Sequence, residues 1–220
     1  MAASHYYPVF LDLRGRRCIV IGGGFVAQRK VKTLLESGAA VTVISPTATR
    51  RLQDYARRGQ IRYVPRRFRL CDLDRAWLVI AATDEQRVNQ RVFRTASRLH
   101  VFTNIIDQTP LCSFIAPAIV KRGGVVLAIS TGGGSPALAK QLRRELGRTI
   151  GKDYAQMLRL LASLRPAAKA ILPGPRQRKQ YFDRLVEGRV FDLVRRGQRV
   201  AARREALHVL KASAKRNGAQ

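Results

Sequence analysis

The chain has 220 residues, with 42 Lys or Arg against 14 Asp or Glu, a formal charge of +28 and an isoelectric point near 11.6. A hydrophobic share of 46% with 25% charged residues belongs to a folding chain, and no apolar run approaches the ~18–20 residues that cross a bilayer. The three cysteines, Cys18, Cys71 and Cys112, are odd in number and far apart, which excludes a disulfide framework or a metal knuckle.

The opening MAASHYYPVFLDLRGRR has no uninterrupted apolar stretch of the secretory kind, so a cytoplasmic protein is expected. The charge admits nucleic acid, an anionic membrane surface or an acidic small molecule as partner. Residues 1–150 hold 25 basic and 9 acidic side chains, and residues 151–220 hold 17 and 5, with no block of five consecutive like charges. Charge alone selects no partner, and a generally Arg-rich background accounts for it equally well.

In chain order, Cys18–Ile21 reads as a buried strand, followed by three glycines. Val26, Val31, Leu34 and Leu35 then fall at helical spacing until Gly38. Val41–Ile44 is a second strand ended by Pro46. A basic helix near 47–58, a third strand at Ile61–Val64 and a fourth at Trp77–Ala81 follow, the fourth apolar enough to be buried on both faces. A helix over 85–98 and a short strand at Val101–Thr103 complete an α/β pattern, which means a parallel sheet covered on both faces. After Asp107 the rhythm changes. Apolar runs at 114–120 and 125–130 flank Lys121-Arg122-Gly123-Gly124, a hairpin turn. A polar glycine loop over Thr131–Ser135 leads to a helix from Pro136 to about Gly147. From Gly151 onward only helices are expected, broken at Pro166, at Pro173-Gly174-Pro175 and around Gly197.

Gly22-x-Gly24-x-x-Ala27 lies between a strand and a helix, the context that a dinucleotide fingerprint requires. Gly22 permits the tight turn, Gly24 lets a pyrophosphate approach the backbone, and Ala27 lets the helix lie close to the strand. The helix N-terminus supplies free N–H groups and the positive end of a dipole. The acid that usually ends the second strand and holds the ribose is missing. Ser45-Pro46-Thr47 stands there, followed by Arg50 and Arg51. Hydroxyls or backbone groups can hold a ribose, and the arginines can reach a 2′-phosphate, so NAD and NADP both remain open on chemistry alone. His5, His100 and His208 are scattered without ligand spacing, so no metal site is read. A nucleic-acid binder would interleave aromatics with its cations. Tyr181-Phe182 among Arg176, Arg178, Lys179 and Arg184 is the nearest approach, better explained as an amphipathic helix.

Six segments occur in order: Gly22-Gly23-Gly24-x-Val26-Ala27-x-Arg29-Lys30, Ala81-Ala82-Thr83-Asp84, Val88-Asn89, Asn104-Ile105-Ile106-Asp107, Ser113-Phe114-Ile115-x-Pro117-Ala118, and Ala128-Ile129-Ser130-Thr131-Gly132-Gly133-x-Ser135-Pro136-x-Leu138-Ala139. Together they resemble precorrin-2 dehydrogenase, the family that includes the N-terminal part of siroheme synthase, from about Val9 to Gly147. The resemblance implies a Rossmann-type α/β domain over 1–112, a small α+β dimerisation segment over 113–150 and an all-helical C-terminal domain over 151–220. It also implies a homodimer that uses NAD to oxidise precorrin-2 to sirohydrochlorin, with Fe²⁺ insertion following in some members. With no methyltransferase half after residue 220, a stand-alone dehydrogenase is expected, free of nucleic-acid and membrane partners. The alternative is a non-catalytic dinucleotide-sensing module.

The family's essential aspartate falls on Asp107, just past the fifth strand, where a carboxylate beside the nicotinamide acts as general base. Cofactor contacts implied are Gly22, Gly24, Phe25 and Val26 at the phosphates, Pro46 and Thr47 near the adenine ribose, Thr83 and Asp84 after the fourth strand, and Asn104 and Ile105 near the nicotinamide. Ser130, Thr131, Gly132 and Gly133 are the implied substrate contacts. Phe25 departs from the small or acidic residue common in the family, and Thr131 stands where some members have a phosphorylated serine as neighbour. Cofactor and tetrapyrrole are both polyanions, so a basic cleft around Asp107 is expected, with the remaining charge diffuse.

Overall fold

The computed structural model describes residues 6–217, which divide into two compact units. The first runs to Ala116 and takes in Gly132–Gly134. The second holds Pro117–Thr131 and the chain from Ser135 onward.

The first unit is built on five parallel strands, β1 (Arg17–Ile21), β2 (Ala40–Ile44), β3 (Arg62–Val64), β4 (Leu78–Ala81) and β5 (Phe102–Ile105), in the order β3-β2-β1-β4-β5. Helices α1 (Phe25–Glu36), α2 (Arg50–Arg57) and α3 (Gln86–Arg98) make the crossovers. Alternation along the central strands sorts the core into two layers. Cys18, Val20, Val41, Val43, Leu78 and Ile80 pack with Ala27, Val31 and Leu34 of α1 and Leu52 of α2. Ile19, Ile21, Ile44, Val79, Ala81 and Ile105 pack with Val92 and Ala96 of α3. Both faces of the sheet are therefore covered, as the near-continuous apolar content of β1 and β4 requires. Burial pushes the Cys18 thiol up to about 11, so it behaves as a small hydrophobe.

Several boundaries differ from the sequence reading. Trp77 is not in β4; it remains 42% exposed with the Arg16 guanidinium 3.9 Å from its ring centroid. Helix α2 begins at Arg50 because the Thr49 hydroxyl caps it by accepting from Leu52 N–H. The fifth strand extends through Ile105, because Asn104 and Ile105 pair with Ile80 and Ala81. The segment between β3 and β4 is fastened by Asp72, which accepts two bonds from Arg66 at 2.6 and 2.9 Å and one from Arg69 N–H at 2.8 Å. Burial pushes that carboxyl up, but the Arg66 fork and the backbone donor outweigh it and hold it below its ordinary value.

In the second unit, β6 (Ala118–Arg122) and β7 (Val125–Ile129) form an antiparallel hairpin with Gly123 at φ +58 in the turn. Residues 114–117 lie outside it, a shorter strand than the apolar run predicts, because Phe114 packs instead against the α1 side of the first unit's core. Helix α4 (Pro136–Thr149) precedes α5 (Lys152–Ile171), α6 (Pro175–Glu187), α7 (Arg189–Arg195) and α8 (Arg199–Asn217). The expected break at Pro166 is absent. Helix α5 runs through it, since Leu164 and Ala168 on either side are buried and hold the backbone course. A break that the sequence reading did not foresee occurs at Gly188, where a Cβ would stand 2.7 Å from the Arg184 carbonyl. Tyr181 is fully buried in the helical core and donates its hydroxyl to Ala206 O at 3.1 Å; Phe182 is partly buried beside it. Among the described residues no helix is long and apolar enough to cross a membrane.

Candidate active site

In the first unit the strand order reverses between β1 and β4, and ligands of such sheets gather outside the carboxyl ends of the strands at that point. Gly22 follows β1 directly, with φ +111, and a Cβ on it would lie 2.1 Å from Ala82 O, just past β4. Gly23 is as tightly constrained on its other side, where a Cβ would lie 1.9 Å from Thr47 O. Gly24 differs: it is exposed, and a Cβ there would meet nothing within 4 Å. The turn is thus pinned at its first two glycines and open at the third. Helix α1 starts immediately after, with no side-chain cap and no acidic residue in its first turn. Free amide donors and the positive dipole end face open space, which fits a pyrophosphate. Phe25 and Val26 are exposed at this end, 80% and 37% respectively.

The loop after β2 is fastened to the same turn. Thr49 N–H donates to Gly23 O at 3.0 Å, and the Thr49 hydroxyl donates to Gln28 Oε1 at 2.8 Å. Tyr63 donates its hydroxyl to Ser45 O at 3.0 Å, so Pro46 and Thr47 sit on a braced stretch beside the glycines. Arg51 lies over the Tyr55 ring, 5.0 Å to the centroid, while Arg50 is exposed. After β4, the Thr83 hydroxyl accepts from Glu85 N–H at 3.2 Å and the Thr83 carbonyl from the buried Asn89 amide at 3.1 Å. Thr83 therefore orders the approach to α3, whose N-cap is Glu85, and Asp84 is exposed.

Asp107 lies two residues past β5, exposed, with φ +58. This left-handed conformation is uncommon for a residue with a side chain, though Asp tolerates it better than most. The surrounding loop over-determines it. Gln108 N–H donates to Ile105 O at 3.3 Å, and Cys112 N–H donates to Thr109 O at 3.0 Å. The Cys112 sulfur accepts from Ile105 N–H at 3.2 Å and has Ile105 O and Gln108 O each 3.3 Å away as acceptors for its own proton. Asn104, nearly buried, donates from Nδ2 to Phe114 O at 3.1 Å and tethers the outgoing chain to the strand end. Strain held by such a clasp is typical of residues with a functional task.

The implied substrate residues divide between the units. Gly132 and Gly133 belong to the first unit, where a Cβ on Gly133 would meet the Thr109 methyl at 3.6 Å, two residues beyond Asp107. Ser130 and Thr131 belong to the second, and Thr131 exchanges hydrogen bonds with the backbone of Ser135, closing the loop before α4.

Three participants escaped the sequence reading. Gly23 is as sterically obligatory as Gly22. Cys112 packs against the α3 side of the core and is also the clasp of the Asp107 loop; burial pushes its thiol up, against the opposing pull of Ile105 N–H and Lys30. Lys30 of α1 is half-buried. Burial lowers its ammonium below the ordinary value, helped by repulsion from Arg29 and opposed by Cys112 and Asp107. Cys112 and Asp107 thus both lie within electrostatic reach of Lys30. Among the described residues no group of three His, Cys, Asp or Glu is placed to hold a metal ion. His100 lies two residues past α3 at φ +54, and His5 lies outside the described residues.

The family model described as "Putative NAD(P)-binding" matches residues 9–118, half of the chain. "Sirohaem biosynthesis protein central" matches 122–149 and "Sirohaem synthase dimerisation region" matches 153–210. The siroheme synthase of Methylococcus capsulatus is 40% identical over 210 residues, covering 96% of this chain and 44% of its own. That of Thioalkalivibrio sulfidiphilus is 39% identical over 198 residues, covering 90% and 40%. The solved structure of SirC, precorrin-2 dehydrogenase, aligns with a TM-score of 0.78 at 27% identity, covering 94% of this chain and 100% of that one. The chain spans less than half the length of the curated siroheme synthases it matches. With an open glycine turn at the switch point of a parallel sheet, the chain belongs to the family described as "Putative NAD(P)-binding", and along its length it is similar to siroheme synthases and to SirC, precorrin-2 dehydrogenase.

Proposed function

We propose that the protein oxidises precorrin-2 to sirohydrochlorin with NAD⁺. The observation that carries this reading is Asp107, clasped in a left-handed loop at the carboxyl edge of the sheet that bears the open glycine turn. Gly24, Phe25 and Val26 present the backbone amides of α1 to the pyrophosphate. Pro46 and Thr47 border the adenine ribose, Thr83 and Asp84 flank the middle of the cofactor, and Asn104 and Ile105 back the nicotinamide. Bound at this turn, NAD⁺ would supply the acceptor for the hydride that leaves the macrocycle. The Asp107 carboxylate takes the accompanying proton, so one NADH and one protonated carboxyl result for each substrate oxidised. Gly132 and Gly133, in the same unit as Asp107, contact the substrate.

NAD⁺ is preferred to NADP⁺ in this reading because Arg51, one of the two cations past β2, is engaged over Tyr55. NAD⁺ therefore raises the melting temperature more than NADP⁺ at equal concentration, as a ligand of the native state must. Anaerobic incubation with precorrin-2 yields sirohydrochlorin, and absence of conversion with either cofactor overturns the enzyme reading in favour of a dinucleotide sensor.

The active form is a homodimer. Helix α4 buries none of its residues, and Leu138, Leu142 and Leu146 along it are only partly covered or exposed. A second copy supplies the missing cover for this segment, within the central portion at 113–150, while the matched dimerisation region lies in the helices that follow. Sedimentation is expected to give twice the 24.6 kDa chain mass. A species of single-chain mass at micromolar concentration contradicts it.

A further inference from the structure

We propose that Lys30 is a substrate-binding residue, pairing with a peripheral carboxylate of the tetrapyrrole beside Asp107. The inference rests on the reading above and adds to it the group that recognises the substrate's charge.

The chain carries 42 cationic side chains, and most of those described are solvated, so a cation means little unless its setting is unusual. The setting of Lys30 is unusual in two ways. It is half-buried in the middle of α1, yet among the described residues no carboxylate lies within ion-pair distance of it. Desolvation therefore acts on its ammonium without a paired counter-charge, and Arg29 adds repulsion. The groups that favour its charge are Asp107 and Cys112. Cys112 cannot neutralise it, since its sulfur is committed to the backbone of Ile105 and Gln108 and its thiol is pushed up by burial. Asp107, exposed and in no hydrogen bond of the described residues, remains out of ion-pair range. A cation and a carboxylate thus share one region without forming an ion pair, and the ammonium is left with an unmet demand for an anion.

Two anions are available in the proposed reaction. The cofactor's pyrophosphate belongs at the amides of Gly24–Val26. Lys30 stands four residues past Val26, about 6 Å along the helix axis, and the Asp107 loop lies on the same side of the sheet as that helix, since Ile106 and Phe114 pack against the core layer that holds Ala27, Val31 and Leu34. The carbon that loses its proton to Asp107 must come to that same loop, bringing the acetate and propionate groups of the macrocycle's rim with it. A carboxylate of the substrate therefore reaches Lys30 where the phosphates do not.

The test titrates sirohydrochlorin anaerobically onto wild type, Lys30→Met and Lys30→Arg, with NAD⁺ binding followed in parallel by melting temperature. Met keeps the apolar stem of Lys, so packing is preserved. Loss of a charge-assisted contact is expected to weaken sirohydrochlorin binding by about 10-fold or more. Arg recovers most of it, and NAD⁺ binding is unchanged. Sirohydrochlorin with its carboxylates esterified binds wild type and Lys30→Met equally. In turnover, Lys30→Met raises KM for precorrin-2 more than it lowers kcat. Unaltered sirohydrochlorin affinity in Lys30→Met overturns the proposal, as does a parallel loss of NAD⁺ affinity, which would assign the lysine to the cofactor. Lys30-dependent binding without oxidation by wild type keeps this site and removes the enzymatic reading. Wild-type oxidation with an indifferent Lys30→Met does the reverse.

Discussion

Asp107→Asn is expected to lower kcat for precorrin-2 oxidation by about 10²–10⁴-fold, the usual contribution of a positioned general base. Asn is the informative replacement because it tolerates the left-handed backbone that Asp107 adopts at φ +58, whereas Ala adds backbone strain to the chemical loss. The clasp by Cys112 and the bonds of Gln108 and Thr109 do not involve the Asp107 side chain, so the loop survives the change. Cofactor binding survives as well, since the glycine turn and α1 are untouched. The rise in melting temperature with NAD⁺ should therefore equal that of wild type while turnover collapses. A variant that keeps turnover within a few-fold of wild type would remove Asp107 from the chemistry and leave the rest of the site standing.

The second large effect separates two neighbouring glycines. Gly23→Ala places a methyl 1.9 Å from Thr47 O, and neither side of that contact is a flexible side chain. The loop after β2 has to move away from the turn, breaking the Thr49 N–H bond to Gly23 O. A stability loss of about 1–3 kcal/mol is expected, together with loss of NAD⁺ binding. Gly24→Ala meets nothing within 4 Å, and its φ of −78 suits any residue, so the fold is kept. NAD⁺ binding is nevertheless lost, because the added methyl fills the space through which a pyrophosphate approaches the amides of α1. Denaturant midpoints and NAD⁺ melting shifts on the two variants read these effects separately. A Gly24→Ala protein that binds NAD⁺ like wild type would place the phosphates elsewhere.

The contrast between those glycines indicates what the amino-acid pattern could reveal. GxGxxA between a β pattern and a helical pattern marks the turn and both its neighbours, because its spacing is local and its chemistry specific. That Gly23 is locked by a carbonyl from the loop after β2 is a contact across 24 positions, which periodicity does not encode. The same limit applies to Asp107. Its place past the fifth strand is legible, but its left-handed backbone and the sulfur clasp that holds it come from a loop whose composition reads as an ordinary turn. Lys30 looked like one cation among many, and only its half-burial near Asp107 distinguishes it. In the helical region, proline was over-read and glycine under-read. Burial of Leu164 and Ala168 carries α5 through Pro166, whereas the close approach of the Arg184 carbonyl leaves Gly188 as the break. The surplus of positive charge was the most visible feature of the composition, yet a single half-buried lysine says more about the site than the remaining excess.

The central claim is that this chain couples precorrin-2 oxidation to reduction of NAD⁺, and its most direct test is an anaerobic stoichiometry measurement. Purified protein, precorrin-2 and NAD⁺ are mixed, and NADH and sirohydrochlorin are followed together by their absorbance. The account predicts that both appear at the same rate and in equal amounts, far faster than without protein. Sirohydrochlorin formed without matching NADH, or formed no faster than in the protein-free control, would contradict it.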